Sequence, residues 1–470
     1  MRPELTLDSR SGSLLAAGIA AVVSVGIALA IPAEGIHVSL ANFGWVALAS
    51  LAVTGFVVFR AGLWTATGAY AAVFWCFHFG LIAALGSGIV EPLEISMWDQ
   101  LWVLGPFGGD AAVLALAGTI AFSAGVGVVQ ARAAGEPRNP ELATSDPAHA
   151  QGVAGSILVL CAIAIWGGIV ISAGGTAAFF GSYGDYLQLT ADYSAPLSII
   201  WLALGCGLVL SVTGERGWLR IAAIAAFGSF ALVALPLGLR GEVMFPSLAA
   251  LVGFARCGWK LTTGKTCVFA ATLLFIIPAV REIRHTGVKG LPDLVMDLRV
   301  LDAFVEMGGS LHPVEKVVRW HAEGEPLEMG SSYWAPIERA AARILPGIAT
   351  PAAEDDLRIM NVLVTERVGA IGFSPVAEAY RNFGALGVVV VLGLLGAALA
   401  ALDRMRDRSL AVLLISSVYL SLLINVRNSF ISVPAQCVLG LGFVAALGVI
   451  RHLSSSILCR PYARATYVRG

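Results

Sequence analysis

The sequence predicts an all-α polytopic membrane protein, and three observations carry that prediction. Hydrophobic residues make up 57% of the 470 positions and charged residues only 13%, about half the ~25% charged share of a soluble domain. Apolar runs long enough to cross a bilayer as helices of about 20 residues recur along the chain. One long stretch, residues 281–383, interrupts them and is polar, charged and rich in Pro and Gly. The expected organisation is a membrane bundle over 1–280, a large helical extracytoplasmic loop over 281–383, and a second bundle with a cytoplasmic tail over 384–470.

About twelve spans are expected. Ser13–Pro32 opens the chain; the polar Met1–Arg10 and the lack of a small-x-small cleavage pattern make it a membrane helix rather than a cleavable signal peptide. Leu40–Phe59, Leu63–Leu85, Ala111–Gln130, Gly152–Ala173, Leu197–Val212 and Leu219–Pro236 follow. Val243–Phe254 is short and contains Pro246, so it reads as a broken or tilted helix inside the bundle. Thr266–Val280 closes the first bundle, and Gly384–Leu402, Leu410–Ile424 and Pro434–Ile450 form the second.

Basic residues orient these spans. With both termini in the cytoplasm, Arg60, Arg256, Lys260, Lys265 and the Arg404/Arg406/Arg408 cluster fall inside, and the short outer loops hold only Arg240 and Arg427. That is the positive-inside pattern. Dropping the eighth span would send the 404–408 cluster outside, which is the reason to keep it.

The loops divide by composition. Ala131–Gln151, with Pro137, Pro140 and Pro147, reads as a flexible inner linker. The outer loops Ser87–Asp110 and Gly174–Pro196 set Trp and Tyr beside carboxylates, which suits an interfacial aromatic belt or a sugar-binding face. In the long loop Leu291, Leu294, Val295, Leu298, Leu301 and Phe304 recur at helical spacing, an amphipathic helix lying on the membrane or on the bundle. A second helical stretch runs from Tyr333 to Leu345, and Glu354-Asp355-Asp356 reads as a solvated turn.

Several chemistries are disfavoured. The seven cysteines share no CxxC or metal-ligand spacing, so a disulfide framework or cysteine zinc site is not expected. No basic cluster interleaves with aromatics, so nucleic acid is not an expected partner. The chain has no GxxxxGK[ST], HExxH or GxSxG, and no cofactor or metal is expected.

The candidate chemistry lies at the outer helix ends. Arg240, in Leu239-Arg240-Gly241-Glu242, and Arg427, in Asn425-Val426-Arg427-Asn428, sit close to hydrocarbon. Such charges are paired, snorkel to headgroups, or face a polar cavity. A guanidinium holds phosphate oxygens through paired hydrogen bonds and stays charged, so these two arginines with Arg381 suit a lipid diphosphate. In Glu378-Ala379-Tyr380-Arg381-Asn382, helical spacing puts Glu378, Arg381 and Asn382 on one face. That arrangement is either an inert ion pair or a general base beside its arginine. His285, His312 and His321 are alternative bases, each read more simply as a surface histidine. Glu242, Ser374, Tyr380, Asn382, Tyr333 and Trp334 complete the set of candidate substrate contacts.

At these residues the chain resembles the Wzy-type O-antigen polymerases, or oligosaccharide repeat-unit polymerases. The likeness runs through Arg240-Gly241-Glu242, then Gly308-Gly309-Ser310 and Gly330-Ser331-Ser332-Tyr333. It is most specific at Gly372-Phe373-Ser374-Pro375 followed by Glu378-Ala379-Tyr380-Arg381-Asn382-Phe383-Gly384. The chain departs from the family at Ile344-Leu345-Pro346, where an aromatic Trp-Pro is commoner. The resemblance implies a metal-independent glycosyltransferase, similar in fold to the O-antigen ligases, in the bacterial cytoplasmic (inner) membrane. It would polymerise undecaprenyl-diphosphate-linked repeat units on the outer face. By that likeness Arg240, Arg381 and Arg427 handle diphosphate and Glu378 is the candidate base. The implied partners are the lipid-linked oligosaccharide, membrane lipid, and a chain-length regulator and flippase of the same pathway. An O-antigen-ligase-like transferase, a lipid-linked oligosaccharide flippase and a non-catalytic assembly partner are the competing readings.

Overall fold

A computed structural model describes residues 9–31, 40–91, 101–132, 149–214, 217–286, 302–342, 345, 347 and 349–458. In chain order the first helices are α1 (Ser9–Leu29), α2 (Leu40–Ala61), α3 (Ala66–Gly86), α4 (Pro106–Arg132), α5 (His149–Gly174), α6 (Tyr183–Leu189), α7 (Ser194–Thr213), α8 (Trp218–Ala234), α9 (Arg240–Arg256) and α10 (Thr263–Thr286). Four short helices follow: α11 (Asp302–Met307), α12 (His312–Ala322), α13 (Ser331–Ala342) and α14 (Met360–Arg367). The last are α15 (Pro375–Arg404), α16 (Arg408–Leu414), α17 (Leu420–Asn425) and α18 (Ser432–Leu458), with a π-helical turn at Ile415–Tyr419 between α16 and α17. No strand occurs among the described residues.

Nine helical stretches among the described residues are long and apolar enough to cross a membrane: those in α1–α5, Ala191–Thr213, Thr263–Val280, Pro375–Arg404 and Arg408–Asn425. The other three expected spans are not among these nine. Among the described residues the apolar stretches of α8 and α18, Trp218–Ala234 and Ser432–Phe443, are shorter, although α18 itself runs for 27 residues, and α9 carries Arg240, Glu242 and Arg256 in its end turns. The linker residues 133–148 and most of the expected amphipathic helix, 287–301, lie outside the described residues.

Small residues let the helices approach closely, as membrane helices without a hydrophobic driving force between them require. α15 lies along α4, which also packs on α1, while α2 packs on α3 and α5 on α7. A Cβ on Gly396 of α15 would sit 2.2 Å from the Phe122 carbonyl oxygen of α4. The outward face of α15 is apolar and open, with Leu386, Val390 and Leu394 48%, 57% and 67% exposed at four-residue spacing. At its far end Asp403 accepts hydrogen bonds from the backbone N–H groups of Ala66 (2.8 Å) and Thr67 (2.9 Å), capping α3 from a distance.

The polar segment is clamped onto this bundle. α11 crosses α3 so tightly that a Cβ on Gly80 would meet the Phe304 carbonyl oxygen at 2.4 Å. Ser374 starts α15 by accepting from Val376 N–H (3.1 Å) and Ala377 N–H (3.2 Å), with Pro375 at the first helical position. Gly384 then breaks the helix with φ 67° and ψ −162°, a left-handed backbone that a side chain disfavours. The kink separates the polar Pro375–Phe383 turns from the apolar length beyond.

In the acidic turn Glu354 and Asp355 are exposed, as expected, but Asp356 is not. Asp356 is only 2% exposed and pairs with Arg358 and Arg339, while Arg358 also reaches Glu338 of α13. Bonding to Arg358 holds its carboxyl below the usual carboxylate range. Arg358 is a local partner two residues on, while the return of the chain onto α13 supplies Arg339 and Glu338.

Candidate functional site

The site grows from the two turns before the Gly384 kink. Glu378 is 1% exposed and Asn382, one turn on, is fully buried. One Glu378 carboxylate oxygen accepts the Ser332 hydroxyl of α13 (2.8 Å). The other accepts the Phe430 backbone N–H (2.6 Å). Asn382 donates to Ser332 Oγ (2.7 Å) and to the Glu378 carbonyl (2.7 Å). Three distant parts of the chain therefore meet on a carboxylate that, among the described residues, is held by these neutral donors. Tyr333 completes the wall: its ring stacks on Phe383 (6.1 Å, 8°) and meets Phe430 edge-on (5.0 Å).

Arg381 shares the helix face but not the carboxylate. Its guanidinium bridges Glu325 and Glu328, each at 2.9 Å, beside the Trp320 ring. The backbone follows the same seam: Glu328 N–H donates to the Arg381 carbonyl (2.9 Å) and Met329 N–H to the Asn382 carbonyl (3.0 Å). Arg367 also pairs with Glu325 and lies over Trp320. Of the two readings of this segment, a Glu378–Arg381 pair is thus absent. The arginine ties the loop to α15, and the glutamate is held by neutral donors.

The outlying arginines sit beside this cluster. Arg427 is exposed, and its carbonyl accepts the Phe373 N–H (3.1 Å). Gly372 makes that approach possible, with φ 78° and room for no more than a hydrogen where a Cβ would stand 2.9 Å from the same carbonyl. Arg240 pairs with Glu306 of α11 (2.5 Å). Glu242 lies within electrostatic reach of both Arg240 and Arg427, and Tyr186 of α6 lies within reach of Glu242. The structure thus groups Arg240, Glu242 and Arg427 at the same end of the bundle as Glu378.

Other expected site residues take structural positions. Ser374 is fully buried, capping α15 and bonded to His78 Nε2 (3.1 Å). Tyr380 is 9% exposed with its ring edge-on to His321. Trp334 is 60% exposed, turned away from the cluster around Glu378. His312 is not a surface histidine. It stacks on Trp102 (4.6 Å, 3°), and burial with Lys316 and Arg319 nearby lowers its pKa to about 3. His321 is exposed, with Nδ1 2.9 Å from the Glu325 carbonyl, and His285 falls in the last turn of α10. No three His, Cys, Asp or Glu side chains gather as a metal-ligand set among the described residues.

Sequence reasoning missed Glu306, Glu325, Glu328 and Phe430. Glu325 and Glu328 have helical i, i+3 spacing after Gly324, which by itself marks no more than a polar turn. Ser332 lay inside a segment already singled out, but nothing local pointed it at Glu378.

The family described as O-antigen polysaccharide polymerase Wzy matches residues 156–455, well over half of the chain. The chain belongs to the O-antigen polysaccharide polymerase Wzy family. The Wzy match takes in Arg240, Glu242, Ser332, Glu378, Arg381, Asn382 and Arg427 and leaves His78 outside. With its apolar helices, membership makes this an integral membrane protein. A curated relative, Protein CapE of Staphylococcus aureus, is 31% identical over 199 residues, which is 42% of this chain and 43% of that protein. The match thus spans less than half of the relative's length. No solved structure matches this chain.

Proposed function

We propose that this Wzy-family protein is a membrane glycosyltransferase that joins lipid-diphosphate-linked oligosaccharide repeat units into a polysaccharide on the outer face of the cytoplasmic membrane. The observation that carries the reading is the water-excluded Glu378 carboxylate, held by Ser332 and the Phe430 N–H, at the end of the bundle that also bears Arg240 and Arg427. In the proposed reaction a hydroxyl at the non-reducing end of one repeat unit replaces Ser332 as the donor to Glu378. Its oxygen attacks the anomeric carbon of a second, lipid-linked glycan. A new glycosidic C–O bond forms, the bond from the anomeric carbon to the phosphate oxygen breaks, and the hydroxyl proton passes to Glu378. The lipid diphosphate leaves with the bonding electrons, and Arg427 and Arg240 neutralise its charge. Glu306 holds Arg240 at this end of the bundle. Arg381 acts at one remove, fixing the 325–333 segment that brings Ser332 and Tyr333 to the site. Tyr333 offers a ring for sugar stacking. Undecaprenyl diphosphate suits the lipid carrier, and both chain termini lie in the cytoplasm.

The test is to incubate purified protein in nanodiscs with one defined lipid-linked repeat unit and to size the product, with and without EDTA. A ladder of many repeats that survives EDTA is expected. Transfer of a single glycan to another acceptor class would replace polymerase with ligase, strict metal dependence would remove the arginine mechanism, and transbilayer movement without new glycosidic bonds would make the protein a flippase.

A further inference from the structure

We infer that α13 is seated in the outer lipid interface, with Trp334, Ile337 and the preceding Met329 inserted among the lipids at the level of the Gly384 kink. The level follows from α15. From Ala385 to Arg404 the helix is about 30 Å long at 1.5 Å per residue, the thickness of a hydrocarbon core, roughly 30 Å. Gly384 therefore marks one membrane boundary. Backbone bonds from Glu328 and Met329 to Arg381 and Asn382, and the stack of Tyr333 on Phe383, fix the start of α13 at that height.

The orientation follows from helix geometry. Ser332, Ala335 and Pro336 are buried toward the bundle, and Trp334 and Ile337, one turn apart, lie on the opposite side. They are 60% and 46% exposed, and Met329 is 76% exposed. Met329 also holds a positive φ of 50°, uncommon for a residue with a side chain. Beside this open apolar face, Phe383 (42% exposed), on which Tyr333 of α13 stacks, begins the exposed apolar stripe of α15 that runs on through Leu386 (48%) to Val390 and Leu394. The polar residues Glu338 and Arg339 are turned to partners in the 356–358 turn. An open apolar face joined through the Tyr333–Phe383 stack to the exposed stripe of a membrane-spanning helix fits lipid as its occupant. Trp at that depth has the amphipathic ring that headgroup regions favour. The assignment gives Trp334 to lipid rather than to glycan, and it makes the bilayer one of the supports that hold Ser332 against Glu378.

The experiment compares wild-type protein with Trp334→Phe in vesicles of phosphatidylcholine brominated at a shallow or a deep acyl position, and with iodide in the water phase. The difference emission between the two proteins isolates Trp334. It is expected to be quenched most by shallow bromine and little by iodide. Ile337→Trp on the Trp334→Phe background reads the same face independently and is expected to behave alike. Quenching by iodide without quenching by bromine would put α13 in water and overturn the inference. Protection from both quenchers that fades as the protein is diluted in lipid would replace lipid with a second copy of the chain. Protection from both at every dilution would mean burial against the chain itself, and it too would overturn the inference.

Discussion

Glu378→Gln separates the proposed proton acceptor from a structural clip. The carboxylate accepts from Ser332 Oγ at 2.8 Å and from Phe430 N at 2.6 Å. An amide has one oxygen, and the backbone N–H of Phe430 cannot turn away, so that oxygen must face Phe430. The amide NH2 then faces Ser332, whose hydroxyl rotates to accept it. Hydrogen bonds to a charged group contribute about 1.5–3 kcal/mol and neutral ones about 0.5–1.5 kcal/mol. Weakening two bonds this way costs about 1–3 kcal/mol, and the relief of burying no charge offsets part of it. The protein should therefore stay folded, with a modest fall in melting temperature. Loss of the proton acceptor should lower the polymerisation rate about 10²–10⁴-fold, equivalent to about 2.7–5.4 kcal/mol on the barrier. The assay is the initial rate of ladder formation from lipid-linked repeats, read beside a thermal melt of the same preparation. Wild-type rates in a folded Glu378→Gln protein would refute the role. So would a rate loss that merely tracks the loss of folded protein.

Other perturbations test the surrounding charges. Arg427→Ala removes an exposed side chain, whose surface contacts are worth about 1 kcal/mol or less, so the protein should stay folded while polymer formation is lost; Arg427→Lys should restore it in part, because a point charge replaces a bidentate fork. Arg240→Ala should destabilise by about 1–3 kcal/mol, less than for a fully buried pair, since Glu306 is left with no counter-charge in a position only 17% exposed. Adding Glu306→Gln should recover most of that loss in a melt but not the activity. His312 supplies a pH test. Its folded pKa, about 3, lies below the ordinary 6.5, so the unfolded chain binds the extra proton. Stability from this contact is full above about pH 6.5 and falls as pH drops toward 3. His312→Gln should flatten the decline in melting temperature between pH 6.5 and 4.5.

Much of the architecture was legible because lipid imposes length and apolarity on each span, and both are local properties of sequence. The Glu378 segment was legible for a similar reason. Ser374-Pro375 announces a helix start, and i, i+3 and i, i+4 spacing then puts Glu378, Arg381 and Asn382 on one face. The same spacing misled where it suggested a partner. Neighbours on one helix face need not bond when better partners arrive from elsewhere. Arg381 meets Glu325 and Glu328, and Glu378 meets Ser332 and Phe430, each some fifty residues away in sequence.

By itself, then, the sequence determined the class of molecule, the polar segment set between apolar helices, and the shared face before Gly384. Tertiary structure decided which charges neutralise one another, that Asp356 is drawn out of solvent and His312 half-buried against Trp102, and that α13 brings Ser332 to Glu378 with Trp334 on its far side. Periodicity encodes which way a side chain points, while its partner depends on where the rest of the chain returns. That return is set by close approaches such as Gly80 on Phe304 and by the bend at Gly384.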